Sequence, residues 1–284
     1  MRAPRTPTRH RAREAIRLHG RSYSAAMTTL FISDLHLDAE RPHITELFGR
    51  FVDEQARKAD ALYILGDLFE AWVGDDDPSE TGAFVATKLR GLRDAGIPVY
   101  FMHGNRDFLL GDAYAKRAGV TILPDPSVVV LHGRPTLLMH GDTLCSDDVA
   151  YQQFRTQTRN PDWQRQFLAQ PLEARVAFAQ QARTASQTRQ AGLKAQGMMD
   201  AITDVSPATM DSSFARFGVD TMIHGHTHRP ARHSMTIDGS ARERIVLADW
   251  HERGTFLEVD ADGARTREIV VDARETRDPE RTAR

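Results

Sequence analysis

Seven polar side chains in five short strings have the chemistry to hold metal ions. The strings are Asp34-Leu35-His36, Gly66-Asp67, Gly104-Asn105-Arg106-Asp107, His140-Gly141-Asp142 and His224-Gly225-His226-Thr227-His228. Together they offer carboxylate, imidazole and amide groups, the donor set of a two-metal site for phosphate-ester hydrolysis. Asp34 and His36 are two residues apart, so on an extended chain they project to one side and can converge on one ion. Asp67 can bridge two cations with its two oxygens. His226 and His228, again two apart, can give one imidazole to each ion, while Asn105 and His140 add a neutral oxygen and a nitrogen to the second. A mixed O/N set without thiolate favours Mn²⁺, Mg²⁺, Fe²⁺ or Zn²⁺ over soft metals.

Any one of these residues alone would be unremarkable, since an Asp after a strand commonly caps the chain and a lone His is commonly an ordinary hydrogen-bonded group. Their combination carries the expectation. Neighbouring His103, Asp107, Asp142 and His224 are expected to orient the metal-binding groups or hold loop backbone. His10, His19, His43, His132, His233 and His251 have no motif context and are assigned no role.

The elements that must position these residues are legible in the apolar runs before each string: Leu30-Phe31-Ile32, Ala61 to Leu65, Val99 to Met102, Leu137-Leu138-Met139 and Thr221-Met222-Ile223. Short and continuous, they predict buried strands, with each string where a strand gives way to a loop. Between the first two, Ile44, Leu47, Phe48, Phe51 and Val52 repeat with helical spacing. A second helix is predicted over Thr81 to Ala95, with Phe84, Val85, Leu89 and Leu92 inward and Gly96 ending it. Ile245-Val246-Leu247, Thr255 to Val259 and Ile269-Val270-Val271 add late strands without helices between them. The expected fold class is α/β, two facing β-sheets flanked by helices.

One stretch breaks the rhythm. Residues 149–199 are rich in Gln, Ala and Arg, Pro161 and Pro171 cut them into short helices, and they are expected to form an inserted helical cap. Arg155, Arg159, Arg165, Arg175, Arg183, Arg189 and Lys194 against Asp162 and Glu173 leave it at +5, a local field suited to an anionic ligand or membrane surface, or simply a solvated basic face. Val149, Phe154, Trp163, Phe167, Leu168, Leu172, Val176 and Phe178 would line an apolar groove or form the cap's own core.

The remaining composition, 284 residues with 40% hydrophobic and 27% charged, is that of an ordinary globular enzyme. No stretch could span a bilayer as a helix, and the lone Cys145 excludes an internal disulfide and fits a reducing compartment. Residues 1–26 hold seven arginines against one acid and no apolar core, so they are expected to be a disordered N-terminal extension with Met27 as the natural start; the rest of the chain then carries −8 instead of −2. That acidic balance argues against general nucleic-acid binding. The folded domain is expected over 27–272 and a disordered tail over 273–284.

The ordered series Asp-x-His, Gly-Asp, Gly-Asn-x-Asp, His and Gly-His-x-His resembles the calcineurin-like metallophosphoesterase superfamily. Within it, the longer strings Ser33 to Leu37, Leu65 to Asp76, His103 to Phe108, His140 to Cys145 and His224 to Pro230 resemble the lipid A pathway diphosphatases that act on UDP-2,3-diacylglucosamine. The similarity runs from about Thr28 to Val271. It implies hydrolysis to UMP and 2,3-diacylglucosamine 1-phosphate, with water activated by two Mn²⁺ ions attacking the uridylyl phosphorus. It also implies a peripheral protein on the cytoplasmic face of the inner membrane, with no obligate protein partner. Residue by residue, it implies that Asp34, His36, Asp67 and His228 hold one ion and Asp67, Asn105, His140 and His226 the other. It further implies substrate contacts at Asn105, Arg106, Asp148, Ser186, Gln190, Lys194 and His226. The cap departs from the family pattern, Gln190 standing where the family usually has asparagine.

Arg106 fits this reaction chemically. Many superfamily members carry histidine there to protonate an alkoxide leaving group, but a phosphate monoester leaves without a proton, and a guanidinium that clamps phosphate oxygens suits it better. Two other readings stay open: a phosphoesterase for a soluble nucleotide, and a non-enzymatic module that keeps the fold as a docking surface.

Overall fold

The computed structural model describes residues 27–269; the expectations for 1–26, for 273–284 and for a strand at Val270-Val271 lie outside them. The strands in chain order are β1 (Thr29–Ile32), β2 (Ala61–Leu65), β3 (Val99–Met102), β4 (Thr121–Leu123), β5 (Ser127–Leu131), β6 (Arg134–Leu138), β7 (Thr221–His224), β8 (Ala231–Ile237), β9 (Ser240–Val246), β10 (Thr255–Asp260) and β11 (Gly263–Glu268). They form two sheets, ordered β11-β10-β1-β2-β3-β4 and β5-β6-β7-β9-β8. The helices are α1 (Pro42–Glu54), α2 (Glu80–Asp94), α3 (Asp112–Ala118), α4 (Val149–Thr158), α5 (Pro161–Leu168), α6 (Leu172–Ala195), α7 (Met199–Thr203) and α8 (Pro207–Phe217).

The continuous apolar runs are explained by burial of both faces of the first sheet. Leu30, Ile32, Leu62, Ile64 and Phe101 pack outward on α1 and α2, while the alternate residues Phe31, Tyr63, Leu65 and Met102 meet Leu138, Ile223 and Ile245 of the second sheet. The second sheet's outer face, through Leu137, Met139 and Met222, is covered by Phe214 of α8. The layers are therefore helix, sheet, sheet, helix. Each large side chain so buried contributes about 1.5–3 kcal/mol.

This topology delivers the motifs to one place. β1, β2 and β3 are parallel neighbours, so their C-terminal ends, bearing Asp34, Asp67 and Asn105, lie along one edge. In the second sheet β6 and β7 are also parallel, and their ends bring His140 and the loop from His224 to His228.

Three sequence expectations need correction. Phe84 is 37% exposed; it lies across Gly49 of α1, where a Cβ would come within 2.9 Å of its ring, so it bridges two helices at the surface instead of entering the core. Ile269, expected to begin a late strand, lies just past β11, the polar run Gly263 to Glu268, while Val270 and Val271 lie outside the described residues. Among the described residues β11 pairs with β10 alone, and an edge strand with one such neighbour tolerates arginines that a central strand would not. Third, Pro161 and Pro171 do divide the helical stretch, each beside a helix start, but the helix after Pro171 is long, α6 running 24 residues.

Candidate dimetal centre

The backbone at the site is not extended. β1 ends at Ile32, and Asp34, His36, Asp67, His226 and His228 all take positive φ, between 51° and 69°. The expected same-side projection of residues two apart is thus achieved by left-handed turns in loops, not by strand alternation. Such a conformation costs a non-glycine residue about 1 kcal/mol or more. The strain is held by hydrogen bonds between neighbouring loops: Asp34 N–H donates to Gly66 O, His36 N–H to Asp67 O and Leu37 N–H to Leu68 O, at 2.9 to 3.1 Å. Two glycines permit the close approach. A Cβ on Gly104 would collide with the Asp67 carboxylate and amide nitrogen, and one on Gly225 with Ser33 Oγ and Asp34 Oδ2.

All seven predicted ligands converge. His36 Nε2 lies 3.2 Å from His228 Nε2, and His228 Nε2 lies 3.4 Å from Asp34 Oδ1. Asn105 Oδ1 is 3.0 Å from His140 Nε2 and 2.9 Å from His226 Nδ1. Asp67 Oδ2 stands between the two halves, 3.8 Å from His36 Nε2 and 3.8 Å from His140 Nε2. Its other oxygen accepts the Arg106 amide at 2.7 Å. Among the described residues, Asp34, His36 and His228 offer atoms within 4.8 Å of one another, as do Asp34, Asp67 and His140.

These donors fit divalent cations. Glu70 Oε2 lies 3.1 Å from His36 Nδ1 and Asp249 Oδ2 lies 3.3 Å from His228 Nδ1, so a carboxylate stands behind each of these two rings and their Nε2 atoms face the gap. His140 is held likewise, its Nδ1 donating to Leu65 O at 2.9 Å. Two facing Nε2 atoms and a buried Asp34 Oδ1 without a hydrogen-bond donor leave the gap rich in lone pairs, which positive charge relieves. The same imbalance moves the titrations. Burial opposes ionisation of Asp34, yet the imidazoles of His228, His140 and His36 outweigh it and hold its carboxyl below the usual range. Burial likewise disfavours a charged His140, but Asp67, Asp34 and Asp142 raise it to about 9. His226, buried beside His140, is pushed down to about 4.

The supporting residues sort themselves by contact. Asp107 accepts from Leu68 N–H at 2.7 Å and Gly104 N–H at 2.8 Å, so it braces backbone and does not pair with Arg106. The Arg106 guanidinium instead faces Glu70 Oε1 at 3.8 Å. His103 Nε2 bonds Leu110 O, and buried His224 donates through Nδ1 to Gly225 O. Asp142 accepts from Tyr151 Oη and from Arg155 Nε at 2.8 Å.

The predicted substrate contacts divide differently. Asp148 caps α4, accepting from Tyr151 N–H at 2.9 Å, and pairs with Arg189 Nη1 at 2.6 Å. Ser186, Gln190 and Lys194 recur every four residues on α6 and so share one of its faces; Ser186 is half-buried and the other two exposed. The structure does not bring these three into the hydrogen-bonded network round the metal candidates.

Most of the cations counted in residues 149–199 are engaged by groups outside that stretch. Arg155 pairs with Asp142, Arg183 with Glu70 at 3.2 Å, and Arg189 with Asp148. Arg159 donates to Gly104 O at 2.8 Å, and Arg175, 2% exposed, donates to Val73 O and grips Asp76 through both Nη atoms. Most cap cations are fasteners to the catalytic domain. Of the apolar candidates, Phe167 is buried beside Trp163, whereas Val149, Phe154, Leu168 and Phe178 remain exposed.

Sequence reasoning missed Glu70, Asp249 and His251. Glu70 sits inside the long string after β2, so its signal was available; Asp249 and His251 follow β9 with no motif around them.

Comparison with known proteins agrees with this geometry. A protein of Stenotrophomonas maltophilia (strain K279a) named UDP-2,3-diacylglucosamine hydrolase is 64% identical over 239 residues, 84% of this chain and 96% of that one. A protein of the same name from Xanthomonas oryzae pv. oryzae (strain PXO99A) is 61% identical over 247 residues, 86% of this chain and 100% of that one. The calcineurin-like phosphoesterase family matches residues 27–230. That span carries every loop from Asp34 to His228, and the chain belongs to the calcineurin-like phosphoesterase family.

Proposed function

We propose that the protein hydrolyses UDP-2,3-diacylglucosamine to UMP and 2,3-diacylglucosamine 1-phosphate, using two Mn²⁺ ions, at the cytoplasmic face of the inner membrane. The observation that carries the reading is the convergence of seven O/N donors on the two sides of Asp67 Oδ2, in a chain whose close relatives bear that activity in their name. Asp34, His36, Asp67 and His228 would hold one ion and Asp67, Asn105, His140 and His226 the other. When bound, the pair supplies Lewis acidity that lowers the pKa of water and neutralises phosphate charge.

The chain's own residues do the rest. Arg106, its amide tied to Asp67 and its guanidinium 26% exposed beside Glu70, clamps phosphate oxygens as negative charge builds at the attacked phosphorus. The departing sugar phosphate is already an anion and needs no proton from the protein. Asn105 and His226 contact the phosphate from the metal side; Asp148, Ser186, Gln190 and Lys194 on the cap take the sugar and nucleotide. Exposed Phe154, Leu168 and Phe178 offer apolar surface for two acyl chains. Among the described residues no helix is long and apolar enough to cross a membrane, so attachment would rest on that surface and on the lipid substrate itself.

The test is UMP release from UDP-2,3-diacylglucosamine in detergent with Mn²⁺. Turnover that EDTA removes and Mn²⁺ restores better than Ca²⁺ is expected, because Ca²⁺ prefers more oxygen ligands at longer distance. Hydrolysis of soluble nucleotides with none of the diacylated sugar would overturn the proposal.

A further inference from the structure

His36, His140 and His228 each have a group behind the ring, but not of the same kind. His140 Nδ1 is fixed by a backbone carbonyl, Leu65 O, inside a buried pocket. His228 has no such support, and at 35% side-chain exposure it is open to water that would let the ring turn. What faces its Nδ1 is Asp249 Oδ2 at 3.3 Å, and the same oxygen faces His251 Nε2 at 2.9 Å.

The backbone on either side of Asp249 is clamped to both metal-bearing loops. Leu247 N–H donates to His224 O at 2.7 Å, and Trp250 N–H donates to Asp34 O at 3.0 Å. The Trp250 side chain is fully buried, with its Nε1 donating to Thr255 O at 2.8 Å. Asp249 is therefore held on a short strap joining the loop of Asp34 to the loop of His228. Its own orientation is set by a buried anchor one residue away, not by the ring it faces.

We infer that Asp249 is the positioning residue for His228, with His251 bracing the carboxylate from its solvent side. The carboxylate keeps the Nδ1–H of His228 pointed away from the gap, so that Nε2 presents its lone pair beside His36 Nε2 and Asp34 Oδ1. The effect should fall on one half of the centre, because among the described residues Asn105, His140 and His226 hydrogen-bond to one another, to Leu65 O and to Asp34, and not to the strap. This inference rests on His228 as a metal ligand, as proposed above.

The experiment uses Mn²⁺ alone. Metal-stripped full-length protein is titrated with Mn²⁺, and free ion is followed by its electron paramagnetic resonance signal, for wild type, Asp249→Ala, Asp249→Asn and His251→Ala. Loss of an outer carboxylate behind a ligating imidazole weakens metal binding about 10- to 100-fold. Asp249→Ala should show that loss at one of two sites and leave the other within about twofold. Asp249→Asn keeps shape and an acceptor oxygen without the charge, and should lose several-fold at that site; it also decides the matter if the alanine variant does not fold. His251→Ala, at an exposed ring, should lose less. If wild type binds no Mn²⁺, the dimetal reading itself fails. If wild type binds two and the Asp249 variants bind both equally well, or lose both sites together, the positioning role is overturned.

Discussion

The metal-bearing loops and the helical cap are built by opposite means. At the centre Asp34, His36, Asp67 and His140 are buried, several backbone turns are left-handed, and adjacent loops are laced by main-chain hydrogen bonds. The cap buries little of its own: Thr158 in α4, Phe167 in α5, and Arg175 and Leu193 in α6, against six residues of α1. It is fastened chiefly by arginines reaching across to Asp142, Glu70, Asp148 and Asp76. A network of buried turns resists displacement, because moving one loop strands donors and acceptors in several others. Half-exposed ion pairs exchange readily with water and each contributes little. Preorganisation therefore belongs to the loops, and adaptability to the helical stretch, which under the proposed function would admit a large substrate.

The sharpest way to break this contrast is at Asp67. Asp67→Ala removes the carboxylate whose Oδ2 stands between His36 and His140, and turnover should fall to background with loss of both ions, measured by metal content and UMP release on the same preparation. Substantial activity would mean that the two halves work independently. By contrast, His224→Ala should leave measurable activity, since its ring touches backbone and Arg244 and none of the ligands.

Next in size is Arg106. Arg106→Ala should lower kcat on the order of 10²- to 10³-fold with metal occupancy unchanged, as for one lost transition-state donor. Arg106→Lys should recover only part, a point charge being unable to reproduce the fork. Lowered metal content in place of lowered kcat per loaded site would make it a loop brace.

Gly104→Ala tests the rigidity itself. The added methyl would strike the Asp67 carboxylate, and since the loops cannot give way, a shift near 1 Å should reduce kcat about 10²-fold. A near-normal rate would show that the loops are softer than their hydrogen bonding implies.

The smallest expected effect on chemistry lies in the cap. Asp76→Ala removes an exposed partner of the buried Arg175 guanidinium, which keeps its hydrogen bonds to Val73 O and Gln170 O; the loss should be about 1 kcal/mol or less and should modestly speed proteolysis within α5 and α6. KM for the diacylated substrate should rise while kcat stays within a fewfold. A large fall in kcat would mean that the cap, too, is part of the preorganised site.

The strands that precede the five strings, the helical stripe of α1 and the seven candidate donors that converge were legible because burial on both sheet faces writes continuous apolar runs and because metal chemistry needs particular donor types, whereas β4, β5, β8 and β11 carry no such run beside a string and were not expected. Phe84 was misjudged because helical spacing identifies a face without telling where that face ends. The pairing of the segment's cations was not legible for a related reason: counting Arg155, Arg175, Arg183 and Arg189 within their own segment leaves out partners 13 to 113 positions away in the chain, among them Glu70 and Asp76.

The sequence by itself determined the order of elements, the donor set and the strand ends that present it, since these depend on residue type and local spacing. Only the tertiary structure decided that Asp34, His36, Asp67, His226 and His228 meet through left-handed turns, that Glu70 and Asp249 stand behind two of the imidazoles, and that the cap arginines are engaged. Those outcomes depend on contacts between segments far apart in the chain, and loop backbone conformation is settled by such contacts once the neighbouring strands have packed.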